Sequence, residues 1–550
     1  MKLVIVGAVA GGASAAARAR RLSEEAKIVL FERGSDPSFA NCGLPYYIGN
    51  EITDRGKLVV TSRELLQQRF RLAVHTKKEV LAIDRSQKTV TVRDLLSGQE
   101  TEHRYDKLIL SPGAAPVRPP IPGAGLPGVH TLRNLQDMDR IRAAVDGGAR
   151  RAVVVGGGFI GLEVAENLIR RGVATTIVER AGQLLPPWDA EMVLPLTDHV
   201  HQKGVETFLN QTIEKIESTG MELMVQLDGG VQLQADLVLM SVGVQSENGL
   251  AKTAGLDIGP RGGIVVNAHM QTSDPDIYAV GDAVQVDDFV TGESTQIPLA
   301  GPANRQGRIA ADHIFGRDSK YRGTQGTAIL RLFDLTAAMT GLSEKAAQRC
   351  GVAYRKVHMH PSQHAGYFPG ASPLHLKLLF DPDDGRILGA QVVGKDGVDK
   401  RIDVLATAIQ ARMTVCDLEE VELAYAPPYG SAKDPVNMAG FVAAGVLRGD
   451  QPVLYAEDVG QDDLLLDVRT SAEFAQGHIP GAVNIPVDDL RGKLGELTKD
   501  RRIVAYCKVG FRGYLATRIL LQYGFDAVNL SGGYTTWHMV QATAQEPKNR

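Results

Sequence analysis

The sequence is poor in cysteine. Its 550 residues include four, widely scattered at Cys42, Cys350, Cys416 and Cys507. This spacing fits neither a disulfide framework nor a zinc-binding pattern, so no metal site is expected. It favours a reducing compartment, and we expect a cytoplasmic protein.

Long apolar runs and strong net charge are also lacking. No uninterrupted apolar stretch approaches the roughly 20 residues that span a bilayer. Residues 1–7 read as the start of a strand rather than a signal peptide. The net charge of -4 argues against nucleic-acid binding along the whole chain, although local basic patches remain possible. We expect neither a membrane nor a nucleic acid as partner.

The length and the many glycines are informative. A chain of 550 residues is too long for one core and predicts three or four domains. The 59 glycines indicate many tight turns and close helix–strand packing.

The first glycine-rich turn follows a short apolar run near the N-terminus. Gly7, Gly11 and Gly12 precede an alanine-rich segment, with Val9 in place of the usual middle glycine. This pattern lets backbone amides approach a pyrophosphate at a helix N-terminus. Glu32 ends the next apolar run and is placed to accept hydrogen bonds from a ribose. The alternative is a tight turn with no ligand.

The predicted first helix carries a polar face. Ser14, Arg18 and Arg21 are spaced to share that face. It is either a solvated basic surface or a contact for a phosphate-rich partner.

A second glycine-rich turn has the complete dinucleotide pattern. Gly156, Gly158 and Gly161 lie between a predicted strand and a predicted helix, and the next strand ends in Glu179. A carboxylate there suits the free ribose hydroxyls of NADH and repels the 2′-phosphate of NADPH. Arg180 beside it softens this preference, so NADPH remains possible.

Between the two patterns lies a lone cysteine in a loop punctuated by glycine and proline. Cys42 is followed by Gly43, Leu44, Pro45, Tyr46 and Tyr47. A dithiol reductase needs a second thiol within a few residues, so the partner sulfur here must come from elsewhere.

Two dinucleotide patterns, one inserted in the other, with the Gly281-Asp282 pair downstream, resemble the flavoprotein pyridine nucleotide–disulfide oxidoreductases over residues 1 to about 445. The resemblance implies an α/β fold with two Rossmann-like domains and an α+β dimerisation domain. It also implies FAD and a homodimer. The nucleotide-binding residues it implies are Gly7, Gly11, Gly12, Glu32, Arg33, Ser111, Pro112, Gly113, Gly281 and Asp282 for FAD, and Gly156, Gly158, Gly161, Glu163, Glu179 and Gly243 for the nicotinamide nucleotide.

The cysteine loop is similar to that of the single-cysteine branch, because Tyr47 stands where dithiol members carry their second cysteine. This branch includes coenzyme A disulfide reductases, NADH peroxidases and NADH oxidases, and the loop is closest to the coenzyme A disulfide and persulfide reductases. Tyr367 and Tyr425 are implied to reach the reacting sulfur from the partner subunit. The residues implied to hold coenzyme A are Ser14, Arg18, Arg21, Ser38, Asn41, Asn304, Arg305 and Lys433.

The C-terminal segment resembles a rhodanese domain, which has an α/β fold. Cys507 begins a six-residue loop that ends at Arg512 and leads into a predicted helix. Backbone amides at a helix N-terminus stabilise a thiolate, and the same loop would hold a persulfide. The alternative is a degenerate domain used only for packing. Expected domains are FAD-binding 1–113 and 246–322, NAD(P)H-binding 114–245, dimerisation 323–445, linker 446–456 and rhodanese 457–550.

We therefore expect an FAD- and NADH-dependent reductase of coenzyme A disulfide, coenzyme A persulfide or polysulfide. Cys42 would be the reacting thiol, and Cys507 would deliver sulfur to it. One alternative is an NADH peroxidase or oxidase that uses a Cys42 sulfenic acid. Another is a persulfide carrier or sensor without significant turnover.

Overall fold

A computed structural model describes residues 1–220 and 222–544, which form two compact units. The first unit contains residues 1–180 and 204–326. The second contains residues 181–203 and those from 327 onward. In the described residues, no helix is long and apolar enough to cross a membrane.

The elements along residues 1–326 alternate between strands and helices over much of their length, and α6 belongs to the second unit. They are β1 (Lys2–Val6), α1 (Ala10–Leu22), β2 (Lys27–Glu32), α2 (Leu44–Ile48), α3 (Arg63–Phe70), β3 (Ala73–Thr76), β4 (Lys78–Asp84), β5 (Thr89–Asp94), β6 (Glu100–Arg104), β7 (Lys107–Leu110), β8 (Ala114–Pro116), β9 (Val129–His130), α4 (Leu135–Asp146), β10 (Arg151–Val155), α5 (Phe159–Arg170), β11 (Ala174–Glu179), α6 (Ala190–Gln202), β12 (Glu206–Leu209), β13 (Ile213–Ser218), β14 (Leu223–Leu227), β15 (Gln232–Ala235), β16 (Leu237–Met240), β17 (Val244–Ser246), α7 (Gly249–Thr253), β18 (Ile264–Val265), β19 (Ile277–Ala279), β20 (Val284–Asp287), β21 (Ser294–Thr295) and α8 (Ala300–Ile314).

Two parallel sheets organise the first unit. One has the strand order β19-β7-β1-β2-β3 and the other β12-β11-β10-β16-β9. The apolar residues of β1 and β10 are buried, as expected for strands covered on both faces. Each of these strands lies between its sequence neighbour and a strand that comes much later in the chain. Such a reversal opens a crevice at the carboxyl ends of the strands, where nucleotides bind.

The second unit contains α6 and the remaining elements. They are β22 (Ala328–Leu332), β23 (Leu335–Gly341), α9 (Glu344–Arg349), β24 (Arg355–Met359), β25 (Leu374–Phe380), β26 (Ile387–Gly394), α10 (Val398–Gln410), α11 (Val415–Glu420), α12 (Pro435–Arg448), β27 (Val453–Leu454), β28 (Leu464–Asp467), α13 (Ser471–Ala475), β29 (Val483–Asn484), β30 (Ile503–Tyr506), α14 (Phe511–Gln522), β31 (Ala527–Leu530) and α15 (Gly533–Ala544).

Two sheets of opposite character lie in this unit. The sheet β22-β23-β26-β25-β24 is antiparallel, and α10 packs on β23 and β26. The sheet β27-β31-β30-β28-β29 is parallel. Helices α13 and α14 lie in the crossover connections that parallel neighbours need. The predicted fold class, two Rossmann-like folds followed by an α+β domain and an α/β domain, is confirmed.

Two elements extend into residues 446–456, the range predicted as a linker. Helix α12 continues to Arg448, and β27 already pairs with β31 of the last sheet. The helix ends at Gly449, which has a φ of 79°. A glycine adopts this left-handed conformation without steric cost and so stops the helix there.

Candidate active site

A cleft of about 1150 Å³ opens in the first unit beside the carboxyl end of β1. It brings together most of the residues expected to bind FAD, the predicted cysteine and part of the expected coenzyme A set. These lining residues are Gly7, Gly11, Glu32, Arg33, Ser111, Pro112, Gly113, Gly281, Asp282, Cys42, Ser14, Arg21, Ser38, Asn41 and Asn304. Segments far apart in the sequence therefore form one cavity.

The turn between β1 and α1 fits a flavin dinucleotide. A Cβ on Gly7, whose φ is 91°, would lie 2.1 Å from the Ser111 carbonyl oxygen, and one on Gly12 would lie 1.9 Å from the Gly7 carbonyl oxygen. Only glycine permits this close approach of backbone. Glu32 accepts hydrogen bonds from the amides of Ala8 (2.9 Å) and Gly34 (2.7 Å), which fixes its carboxylate at the end of β2. The donor set and the close-packed turn fit the FAD that the sequence predicts.

A carboxylate that the sequence analysis did not single out joins two arginines at the cleft. Glu247 pairs with Arg33 at 2.5 Å and also with Arg133. Burial alone would raise the pKa of Glu247, but the hydrogen bonds from Arg133 and Arg33 outweigh it and lower the pKa. Arg133 also donates to the Pro112 carbonyl oxygen at 3.2 Å. Glu247 therefore fixes two cations beside predicted flavin-binding residues, a role that no local sequence pattern signals.

Cys42 lies in the middle of a single 3-10 turn, Asn41–Gly43, which leads directly into α2. Its side chain is exposed to the cleft. The surrounding protein nevertheless reduces the solvation of its sulfur, which raises the pKa of the thiol, and the negative charges of Glu163 and Asp282 raise it further. The thiolate needed for nucleophilic attack is thus disfavoured by this chain alone, and cationic or electron-poor groups in the cleft would favour it.

Glu163 lies on α5, which packs against α2. It accepts a long hydrogen bond from the Tyr46 hydroxyl, at 3.3 Å. This hydrogen bond links α5, which follows the second glycine-rich turn, to α2, which follows Cys42. Glu163 is one of the predicted nicotinamide-nucleotide residues, and the charge of Glu163 also raises the pKa of Cys42.

The second glycine-rich turn repeats the architecture of the first. Gly156 has a φ of 105°, and a Cβ on it would lie 2.5 Å from the Ser241 carbonyl oxygen. Glu179 accepts a hydrogen bond from the Gly157 amide at 2.7 Å. Gly158 starts α5 as its N-cap, and Gly161 lies within the first turn of that helix. Gly243 follows β16 with a φ of 114°. These features fit a nicotinamide nucleotide.

The residues expected to hold coenzyme A are only partly brought together. Ser14 Oγ lies 2.5 Å from Asn304 Oδ1, so α1 and α8 meet at this point of the cleft. Ser38 takes a left-handed conformation with a φ of 50°. Arg18, in contrast, is paired with Asp312 at 2.6 Å, and this pair is largely buried. Of the predicted basic face on α1, Arg21 remains exposed at the cleft.

Two further residues expected to hold coenzyme A are exposed on other parts of the chain. Arg305 is exposed on α8 and is not among the residues that line the cleft. Lys433 is exposed and belongs to the second unit.

The two predicted tyrosines meet in the second unit. Their hydroxyl oxygens lie 2.9 Å apart, although the residues are 58 positions apart in the sequence. Both side chains are exposed, Tyr367 by 76% and Tyr425 by 48%. The hydrogen bond with Tyr425 raises the pKa of Tyr367. Tyr367 therefore presents a protonated phenol at the surface near neutral pH.

The predicted cysteine loop of the last domain connects β30 to α14. Cys507 is only 2% exposed, and its sulfur accepts a hydrogen bond from the Gly510 amide at 3.2 Å. Gly510 is the N-cap of α14 and has a φ of 99°. The hydrogen bond with Glu473 and, less strongly, the negative charge of Cys507 raise the pKa of Arg512. A backbone amide therefore donates to this sulfur, and a guanidinium interacts with it electrostatically.

Comparison with known proteins identifies the chain's family. The model of the family "Pyridine nucleotide-disulphide oxidoreductase" matches residues 1–307. The chain belongs to this family. The model of the family's dimerisation domain matches residues 327–434, and the rhodanese-like domain matches residues 452–539.

Individual relatives of this oxidoreductase cover most or nearly all of the chain. A coenzyme A disulfide reductase of Staphylococcus epidermidis is 38% identical over 449 residues, which are 80% of this chain and 99% of the relative. The crystal structure of reduced Bacillus anthracis CoADR-RHD has a TM-score of 0.96 and 48% identity, covering 98% of both chains. A NAD-dependent persulfide reductase from A. fulgidus has a TM-score of 0.92 and 37% identity, covering 98% of this chain and 100% of the other. The predicted membership in a flavoprotein oxidoreductase family with a C-terminal rhodanese domain is confirmed, and it implies FAD and NADH or NADPH as cofactors.

Proposed function

We propose that this oxidoreductase uses NADH and FAD to reduce coenzyme A disulfide, coenzyme A persulfide or polysulfide at Cys42. The observation that carries the proposal is the position of Cys42. It lies in one cleft with the flavin-binding turn and with Ser14, Arg21 and Asn304. Tyr47 occupies the position of a second thiol, so the disulfide partner is a small molecule.

The bound cofactors would supply the electrons for this chemistry, two at a time, from NADH by way of the flavin to sulfur. Glu32 and the turn at Gly7 would hold the flavin. Glu179 would hold the ribose of the nicotinamide nucleotide, and its negative charge would oppose the 2′-phosphate of NADPH. We therefore propose a preference for NADH.

The chain's own part in disulfide reduction begins with attack by the Cys42 thiolate on one sulfur of coenzyme A disulfide. A Cys42–coenzyme A mixed disulfide forms, and one coenzyme A thiolate leaves. Two electrons then cleave the mixed disulfide, which releases the second coenzyme A thiolate and restores the Cys42 thiolate. With one NADH and one proton consumed, the products are NAD⁺ and two coenzyme A thiols.

Coenzyme A persulfide follows the same course with a different leaving group. The Cys42 thiolate attacks the inner sulfur, which is bonded to the pantetheine carbon; the S–S bond breaks, hydrosulfide leaves, and the same Cys42–coenzyme A mixed disulfide forms. Polysulfide would lose a shortened chain instead. We propose that Cys507 carries sulfur as a persulfide and supplies it to this reaction. We also propose that Tyr367 and Tyr425 of a homodimer donate protons to the leaving sulfur. A reducing, cytoplasmic setting fits two working thiols.

The remaining residues are proposed to bind the pantetheine and phosphates of coenzyme A. Arg21 and Arg305 are exposed cations suited to phosphate. Arg18 already has Asp312 as its partner, so we propose that it positions α1 and α8 and contributes less to coenzyme binding. We also propose domain boundaries that follow the ranges matched by the three family models, 1–307, 327–434 and 452–539, with residues 181–203 grouped with the dimerisation domain.

The test replaces Cys42 by serine and compares steady-state NADH consumption with coenzyme A disulfide, inorganic polysulfide and hydrogen peroxide. We expect the wild type to favour the sulfur substrates, and C42S to lose that turnover while NADH still reduces its flavin. Cys350→Ser, a change at an exposed thiol at the end of α9, is the matched control and should retain turnover. Preference for peroxide would establish the peroxidase alternative. Negligible turnover with persulfide retained on Cys507 would establish the carrier alternative.

A further inference from the structure

Glu473 makes more contacts than its modest burial suggests. On α13, its carboxylate accepts hydrogen bonds from the Thr470 amide (3.0 Å) and the Thr470 hydroxyl (3.0 Å). It also accepts from both terminal nitrogens of Arg512, at 2.8 Å and 2.7 Å. The bond from the Thr470 amide and the bond that the Glu473 amide donates to Thr470 Oγ1 (3.3 Å) together form a capping box at the start of α13. The two bonds from Arg512 form a bidentate pair, which fixes the plane of a guanidinium.

Arg512 connects this carboxylate to the loop of Cys507. It is the last residue of the loop that starts at Cys507 and the second residue of α14. The hydrogen bond with Glu473 and, less strongly, the negative charge of Cys507 raise the pKa of Arg512. The Arg512 side chain is about one-third exposed. An arginine so exposed has many rotamers open to it unless a partner selects one. Glu473 is that partner, and the capping box in turn fixes Glu473.

We propose that Glu473 is a positioning residue for Cys507: it holds the Arg512 guanidinium beside the sulfur, so that a persulfide anion formed there meets a preset cation. This inference rests on the proposed role of Cys507 as sulfur carrier. It adds Glu473, which lies outside the Cys507–Arg512 loop, to the residues that serve this role.

A competing effect has the opposite sign, which makes the proposal testable. If Glu473 served only to neutralise Arg512, its removal would leave a stronger positive field at the sulfur and favour the thiolate. If it positions Arg512, its removal lets the guanidinium turn to solvent, and the thiolate loses its cation. Because an exposed ion pair contributes little to folding stability, the change should affect Cys507 reactivity far more than folding.

The experiment uses the full-length flavin-loaded protein and two readouts at Cys507, both followed by peptide mass spectrometry. One is the pH profile of alkylation by iodoacetamide. The other is persulfide loading from inorganic polysulfide, in which the Cys507 thiolate attacks a chain sulfur and a shortened polysulfide leaves. The variants are E473Q, R512A and the double variant. The matched control is Glu496→Gln, a change at an exposed carboxylate of the same domain.

We expect E473Q to move the alkylation profile to higher pH and to slow loading at least fivefold, with E496Q unchanged. The double variant should lose no more than R512A alone, because both changes remove the same interaction. An unmoved alkylation profile, a profile moved to lower pH, or additive losses of loading rate in the double variant would overturn the inference. Each of these results would do so even if E473Q folds poorly. If wild-type Cys507 takes up no persulfide, the proposed sulfur-carrier role fails, whereas the alkylation profile still decides the positioning of Arg512.

Discussion

The chemistry proposed for Cys42 depends on a few side chains that surround one sulfur. Glu163 and Asp282 place negative charge near it and, with desolvation, raise its pKa. A thiol with a raised pKa is a weak nucleophile near neutral pH. The proposed flavin would therefore complete the electrostatics of the site as well as supply electrons.

Single residues also mark the limit of what the sequence could predict. Glu32 and Glu179 were predicted because each ends a recognisable strand after a glycine-rich turn, and Cys42 because it is a lone cysteine in a loop punctuated by glycine and proline. The phenol pair of Tyr367 and Tyr425 was expected near a reacting sulfur, but no local pattern indicates that their hydroxyls meet. Such a contact depends on tertiary structure, since it joins side chains from separate loops.

The first prediction concerns nucleotide choice at Glu179. Replacing Glu179 by alanine removes a ribose acceptor and a charge that repels the 2′-phosphate. The ratio of kcat/KM for NADH to that for NADPH should fall at least about tenfold, or ~1.4 kcal/mol. The measurement is steady-state kinetics with both nucleotides, with Glu217→Ala on β13 as control. An unchanged ratio would show that the carboxylate does not select the nucleotide.

At the scale of elements, a buried charge network in the second unit holds α6, α9 and β25 together. Lys377 on β25 is 0% exposed. It pairs with Asp189 (2.8 Å) and Glu191 (2.5 Å) at the start of α6, and with Glu344 on α9. Three carboxylates so close together resemble a cation site, and here the lysine ammonium takes that place. The network explains why residues 181–203 group with the second unit.

The resemblance implies an α+β domain in this region, but the sequence predicts neither its individual elements nor the network. β25 reads LHLKLLF, and one lysine in an apolar strand signals a buried charge. Its three partners are 33 to 188 positions away in the sequence, so no local spacing identifies them.

Removing Lys377 should destabilise the fold. Lys377→Met removes the cation that three buried or half-buried carboxylates share, although Glu344 keeps its pair with Lys356. Breaking a buried pair in this way costs about 3–5 kcal/mol. We expect that loss in the free energy of unfolding measured by denaturant titration. Lys395→Met, at an exposed lysine beyond β26, should change it by less than about 0.5 kcal/mol. A loss below about 1 kcal/mol for K377M would mean that the network contributes little beyond its own desolvation cost.

The same network predicts acid sensitivity. Burial would raise the pKa of Glu344, but the charges of Lys377 and Lys356 outweigh it and lower the pKa to about 2. A carboxyl with a lowered folded-state pKa stabilises the fold above its unfolded pKa of about 4.3, and this stability is lost as pH falls toward 2. The apparent Tm should therefore decrease between these values. E344Q should show a shallower decrease, and an equally steep one would rule out Glu344 as a source.

At the scale of the whole molecule, the rhodanese domain is packed against the dimerisation domain of its own chain. His360 Nε2 lies 2.8 Å from Thr536 Oγ1, and the His358 amide donates to Ser531 Oγ at 3.2 Å. Burial, together with His375 and His358, holds the pKa of His360 well below its usual range. The contact is therefore made by a neutral imidazole at pH 7. Lys356 adds a charged link to Glu457.

This packing predicts cooperative unfolding of the two domains. Hydrogen exchange in increasing denaturant should show β25 and β30 losing protection together. Thr536→Val leaves the His360 imidazole without its hydrogen-bond partner. It should lower the free energy of unfolding of both domains by about 1–3 kcal/mol. Thr543→Val, near the end of α15, is the control. Loss of protection in β30 well before β25 would instead indicate a loosely tethered domain.

The most direct test of the account is whether Cys42 forms a mixed disulfide with coenzyme A. The flavin-loaded protein is incubated with coenzyme A disulfide without NADH, and its peptides are analysed by mass spectrometry before and after NADH is added. The account predicts a coenzyme A adduct on the peptide that contains Cys42, lost when NADH is supplied. No adduct on Cys42, or an adduct that NADH does not remove, would contradict it.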